Sequence, residues 1–438
     1  MMNFRKTLAG IVCGLATFGA FAAPVIRNVQ MVQDPSTRAV TVNYTLTGGP
    51  AVVTAGVTTN GVPVSDAYVA RTHGDIHQVI RADGPHTFTW LPDRNAAQDA
   101  AFRVDSGTRV TVTAWSTNDP PPVMAVDLAM TNRVLYFASV DALPEGGIKG
   151  TRCKTSLLVM KRIPAGGREF VMGRNKNVTF YTTNNESVEN ESPQLVSLQS
   201  DFYLGVFELT QYQWDVVCCK TINAAACFTN ATCWATRPME NISWYDLHES
   251  FTNAYNFDYR YPNAPHPQSY LGLIRARTGV AFELPSEVEW EFASNAGLPS
   301  NQVGNGAELS EANLNKIGRT VSDWPSGSGW FHADFTAIRD AAVDMGTAEV
   351  GSYQPNLFGL YDMNGNVWEW TLDWYLINRR PLNGEVSLDS TIHSEVVVRG
   401  GSAATSTADC RSQRRFHRFP GTRNPNTGVR LKAPVAAH

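Results

Sequence analysis

The block Asp362-Met-Asn-Gly-Asn-Val-Trp-Glu369 carries the clearest metal chemistry in this 438-residue chain. An acid opens it, a turn through Asn364 and Gly365 frees backbone carbonyls, and a second acid stands seven residues on. Such hard oxygen donors can converge on one cation, and calcium suits them better than a softer metal. The competing reading is a tight asparagine-glycine turn whose acids cap backbone donors. Sulfur is the second chemistry. Setting aside Cys13, in an apolar leader, six cysteines remain: Cys153, Cys218, Cys219, Cys227, Cys233 and Cys410. An even number favours disulfides in an oxidising compartment. Zinc is a weaker reading, because no histidine stands at zinc-ligand spacing from a cysteine. The third chemistry is cationic: no acid follows Asp409, whereas Arg411, Arg414, Arg415, Arg418, Arg423 and Arg430 do. They could hold a carboxylate, sulfate or phosphate bidentately, or be spent in structural hydrogen bonds. No Gly-x-Ser-x-Gly elbow, His-Glu-x-x-His pair or phosphate-cradling glycine loop is present.

The elements that must position these residues fall into two domains. Arg5 and Lys6, the apolar run Leu8 to Phe21 and the small residues of Ala20-Phe21-Ala22 form a secretory signal over residues 1–22, too short to span a bilayer. Residues 24–139 hold about seven short alternating runs over roughly 110 residues, which suits an all-β immunoglobulin- or fibronectin-like sandwich. Ala39 to Leu46 and Val110 to Trp115 are the clearest strands, and His73 and His77 read as solvated loop residues. From residue 153 to 433 the chain mixes short strands, long loops and helices. Thr210-x-x-Gln213, Ser243-x-x-Asp246 and Ser286-x-x-Glu289 each place a hydroxyl and an acceptor where a helix start needs them, and Gly297 can close the third helix. A formal net charge of -4 offers no global attraction to nucleic acid or to anionic membrane. Charged residues are 17% against 43% hydrophobic, enough to bury a large core.

Read in order, Ile163 to Gly173, Phe202 to Thr210, Arg237 to Asp246, Glu283 to Ala293, Gly359 to Trp370, Val397 to Ser402 and Gly428 to Arg430 together resemble the formylglycine-generating enzyme, or sulfatase-modifying factor, family. The resemblance implies an α+β, C-type-lectin-like formylglycine-generating-enzyme fold with much irregular structure, stabilised by calcium. It implies ligation by the side chains of Asp362 and Glu369 with the backbone oxygens of Gly365 and Val367. A second site would use Asn313, the backbone of Leu314 and an acid, with Asp340 and Asp344 competing. Catalysis in the family holds a cuprous ion between two cysteine thiolates and uses oxygen to oxidise a substrate cysteine. Counted without gaps from Ser402, those two positions fall on Thr405 and Cys410. Ser402 and Trp368 match positions lining the family's oxygen pocket, although Trp368 and Trp370 also read as core. Cys410 and Ser402 are therefore the candidate catalytic residues, and copper is expected only if activity survives.

A threonine hydroxyl is hard and stays protonated at neutral pH, so it cannot replace a soft thiolate. The expectation is an exported bacterial protein, periplasmic, cell-surface or extracellular, that binds a protein, peptide or glycan and forms no formylglycine. The alternative is an oxygen-dependent oxidase acting on a sulfatase cysteine or another thiol.

Overall fold

The computed structural model describes residues 23–63, 72–91, 103–144, 147–174, 191–218, 233–249, 263–323, 346–376 and 395–437. The expected signal, Cys219, Cys227, Asp340 and Asp344 lie outside the described residues.

The first unit contains β1 (Val25–Gln33), β2 (Val40–Thr47), β3 (Ala51–Thr59), β4 (Val62–Pro63), β5 (Thr72–Gly74), β6 (Val79–Ile80), β7 (Gly84–Trp90) and β8 (Thr108–Ser116). One antiparallel sheet runs β1-β2-β7-β5, and in the other β3 pairs with β4, β6 and β8. Alternation explains the arrangement: Val40, Val42, Tyr44 and Leu46 of β2 point inward with Phe88 and Trp90 of β7. Val53, Val57 and Val112 from the other sheet complete the same core.

His77 departs from its expected place in solvent. It is buried, its ring 4.4 Å from that of Phe137 and its Nδ1 2.9 Å from the Tyr136 carbonyl. Its backbone bonds to Val53 and Tyr136 fasten the first unit to the second. Burial pulls the imidazole pKa down to about 4, against a lesser opposing effect of the Tyr136 carbonyl. The unfolded chain therefore takes up a proton near pH 6.5 that the folded chain refuses until about pH 4. Stability is full above the unfolded value and falls with pH through this window, by about 3 kcal/mol at the lower end. His77→Asn, which tolerates the positive φ of 59°, is expected to flatten the decline in melting temperature between pH 7 and pH 4. Parallel pH profiles for the two proteins would reject this.

The second unit is built on a five-stranded antiparallel sheet. Its strands include β9 (Val123–Asp127), β10 (Val134–Phe137), β11 (Leu157–Ile163), β12 (Arg168–Met172), β13 (Gln194–Leu198) and β14 (Phe202–Gly205). They continue with β15 (Trp368–Trp374), β16 (Val396–Arg399), β17 (Arg415–Arg418), β18 (Thr427–Gly428) and β19 (Lys432–Pro434). The main sheet has the order β10-β9-β11-β14-β19, so hydrogen bonding draws β9 and β10 out of the 24–139 segment and onto β11. A second sheet, β17-β16-β15-β18, carries the site loops at its ends. Trp214, Trp244, Tyr270 and Trp370 fill the core between sheets and helices, and Val52 of the first unit joins the same cluster.

Helices start where their caps demand. α1 (Gln211–Cys218) follows Thr210, whose Oγ1 accepts from Gln213 N while the Gln213 side chain accepts from Thr210 N. α2 (Trp244–His248) follows the reciprocal Ser243–Asp246 pair, and α4 (Glu287–Ser294) the Ser286–Glu289 pair. Gly297 takes φ 71° and donates to the Phe292 carbonyl, closing the end of α4. Sequence reading missed α3 (Tyr270–Thr278), capped by Ser269 and closed by Gly279 at φ 74°, and the short α5 (Glu311–Leu314). Among the described residues no helix is long and apolar enough to cross a membrane.

Candidate functional site

β16 ends at Arg399, and the chain then makes two left-handed steps, Gly400 at φ 97° and Gly401 at φ 79°. A Cβ on Gly401 would meet Cys410 Sγ at 2.4 Å, so the close approach demands glycine. The loop returns through a 3-10 turn, Thr407–Cys410, capped by Ser406. Ser402, Thr405 and Cys410 consequently meet. Ser402 Oγ lies 2.7 Å from Thr405 Oγ1, and Cys410 Sγ lies 3.7 Å from the Ser402 carbonyl and 4.0 Å from that of Thr405.

This thiol is unbridged and fully buried. Burial drives its pKa far above the usual thiol range, with the Ser402 carbonyl contact only partly opposing. It stays protonated at neutral pH and is a poor nucleophile and ligand. The Thr405 hydroxyl, on the same loop, is already committed to Ser402. One protonated thiol and one hard hydroxyl do not fit a cuprous ion, which needs paired soft donors. Trp368 and Trp370 are core residues, Trp368 packing on Phe416 at 5.3 Å.

The neighbouring loop bends through Asp362, Gly365 and Asn366, all at positive φ. Asn364 Nδ2 donates to the Cys410 carbonyl at 2.7 Å, and Ala403 N donates to the Asn366 carbonyl at 2.8 Å, so this turn and the sulfur loop are fastened together. Asp362 Oδ2 accepts from Gly351 N at 2.6 Å, whereas its buried Oδ1 has no hydrogen-bond partner. Glu369 is differently placed. Its Oε1 accepts from Arg430 Nε and Nη2 at 3.0 and 2.7 Å, and its Oε2 from Arg430 Nε and Trp290 Nε1 at 3.1 and 2.6 Å. A carboxylate offers about four lone-pair sites, and these contacts use them.

Glu208 was missed in the sequence. It lies inside the run Phe202 to Thr210, and a lone acid among apolar neighbours was the available signal. Fully buried, it accepts from Val367 N at 3.1 Å and Asn366 Nδ2 at 2.6 Å, shaping the loop from beneath. Burial, then the charges of Asp362 and Glu369, push its pKa well above the carboxylate range. Burial likewise lifts Asp362 to about 6, with the Gly351 amide and Arg430 opposing. Three buried acids thus face one buried guanidinium, Arg430, an imbalance a cation would relieve. Charge and the open Asp362 oxygen fit calcium; the Glu369 oxygens, as arranged, serve Arg430 and Trp290 instead. Among the described residues no three His, Cys, Asp or Glu side chains are grouped to hold a metal. Asn313 caps the Glu308 carbonyl and accepts from Lys316, and Leu314 is core, so neither is shown beside the first loop.

The closing arginines are mostly paired. Arg411 and Arg414 meet Glu191, Arg415 meets Glu287, Arg423 meets Asp246 and Arg430 meets Glu369. Among the described residues Arg418 alone of the six meets no carboxylate; it donates to Asn426 and stacks over Phe416, and burial lowers it to about 10.

The last strand of this domain thus completes its main sheet, and its glycine-rich loop folds Ser402 against Cys410, the arrangement to set beside the sulfatase-modifying-factor family. The chain belongs to that family, because the Sulfatase-modifying factor enzyme 1-like domain matches residues 149–433. It is 32% identical over 117 residues to the formylglycine-generating enzyme of Thermomonospora curvata, covering 26% of this chain and 35% of that enzyme. With the Mus musculus formylglycine-generating enzyme it shares 26% identity over 193 residues, 40% of this chain and 49% of the relative. It also matches the serine/threonine-protein kinase pkn1 of Chlamydia pneumoniae at 29% over 173 residues, 38% of this chain and 24% of the kinase. The chain thus spans less than half the length of these relatives. Among solved structures, PvdO from Pseudomonas aeruginosa aligns with a TM-score of 0.44 and 21% identity, covering 63% of this chain and 94% of that one.

Proposed function

We propose that this protein is an exported binding or accessory member of its family that forms no formylglycine. The observation that carries the reading is the pair at the sulfur loop: Thr405 Oγ1 bonded to Ser402, beside a buried, protonated Cys410. Ser402 positions the threonine hydroxyl and accepts the Cys410 thiol on its carbonyl; neither arrangement generates a thiolate. The first unit, read as an immunoglobulin- or fibronectin-like sandwich, would present a C-type-lectin-like second domain to a protein, peptide or glycan. Incubating the mature protein with copper, oxygen and a Cys-x-Pro-x-Arg peptide tests this. The peptide should be recovered unchanged; turnover abolished by Cys410→Ser would sink the reading.

Calcium belongs to the same proposal, held by Asp362 Oδ1 with the carbonyls of Gly365 and Val367, and by Glu369 if Arg430 releases one of its carboxylate oxygens. A ligand at a hundredfold excess over its Kd stabilises by about 2.7 kcal/mol. A chelator should accordingly lower the melting temperature of the protein, and Asp362→Gly, which keeps the left-handed backbone at φ 57°, should abolish the effect. A melt indifferent to chelator rejects the site.

A further inference from the structure

A cleft of about 670 Å³ opens between the two units, lined by none of the residues of the Asp362 or Ser402 loops. Its size suits a small molecule, and junctions between domains are where such sites commonly form. Thr72, Gln78 and Leu91 come from the first unit, and Arg133, Leu135 and Arg152 from the second. Arg152 donates to Asp127 Oδ2 at 3.0 Å, while Arg133 reaches the same oxygen only through Nε at 4.0 Å. Asp75, the acid among the described lining residues, accepts from His86 Nδ1 at 2.8 Å. Among the described residues Arg133 has no other ion pair, which leaves its terminal nitrogens available. Beside this cation the walls turn apolar: Leu91 is 42% exposed, and Leu135 is half-buried.

We propose that this cleft binds a small ligand carrying both a carboxylate and an apolar group, with Arg133 receiving the carboxylate and Leu91 and Leu135 the apolar part. A planar carboxylate matches the two terminal nitrogens of one guanidinium, whereas a phosphate dianion would call for more positive charge than the cleft supplies. This site is independent of the sulfur loop and stands or falls without reference to formylglycine chemistry.

N-acetyl-leucine is the probe and N-acetyl-leucinamide its neutral control, titrated into the full mature chain by calorimetry. The acid should bind saturably and the amide at least about tenfold more weakly, since a charge-assisted hydrogen bond is at stake. Arg133→Gln should weaken the acid by about tenfold, and Leu91→Ser by several-fold. Both side chains are substantially exposed, so both variants should melt like the parent. No saturable binding at millimolar acid, equal binding of the amide, or binding unchanged by Arg133→Gln would each overturn the proposal.

Discussion

Arg430→Met is expected to destabilise the protein by about 3–5 kcal/mol, the usual cost of stripping one partner from a buried ion pair. Arg430 is fully buried, and besides Glu369 it donates to the carbonyls of Gly205, Val206 and Tyr361. Its loss would strand three carbonyls and leave Glu208, Asp362 and Glu369 without their shared cation. Lysine is no remedy, because one ammonium cannot span Glu369 and three carbonyls at once. The defect should also carry a pH signature. Carboxylates whose folded pKa values are raised hold protons better in the folded state, so their cost is absent at low pH and grows as pH rises through those values. Acidification from pH 7 to pH 5 should therefore recover part of the lost stability in Arg430→Met. Urea unfolding at both pH values measures this; a loss under about 1 kcal/mol at pH 7 would contradict the network's importance.

Local chemistry was legible in the sequence and long-range pairing was not. Ser243 and Ser286 announce their helices because the hydroxyl and the acceptor that complete a capping box lie three residues apart. Ser269 escaped notice because Gly272, not an acceptor, stands at that spacing, although Gly279 marked the other end of the helix. The meeting of Ser402, Thr405 and Cys410 was likewise readable by counting along one loop. By contrast, nothing in the alternation of β9 shows that it pairs with β11 rather than with the strands before it. Arginine partners are equally hidden: Arg411 finds Glu191 and Arg430 finds Glu369 from 220 and 61 residues away. Whether Glu369 serves a metal or a guanidinium depends on which distant cation folding brings to it. The same holds for Glu208, whose importance comes from the loop laid across it.

The meeting of Thr405 with Cys410 in the sulfur loop has a direct converse. Thr405→Cys would put a second thiol on the loop where the Thr405 carbonyl already lies 4.0 Å from Cys410 Sγ. Restoring the donors that a cuprous ion prefers should restore metal uptake, provided the pair is kept reduced. The most direct measurement compares the parent and Thr405→Cys proteins, with copper and oxygen, on one Cys-x-Pro-x-Arg peptide, following the cysteine thiol and the aldehyde by mass. The parent should leave the thiol intact throughout, and any aldehyde should appear only with Thr405→Cys. Aldehyde formed by the parent at a rate matching that variant would contradict an inactive sulfur loop.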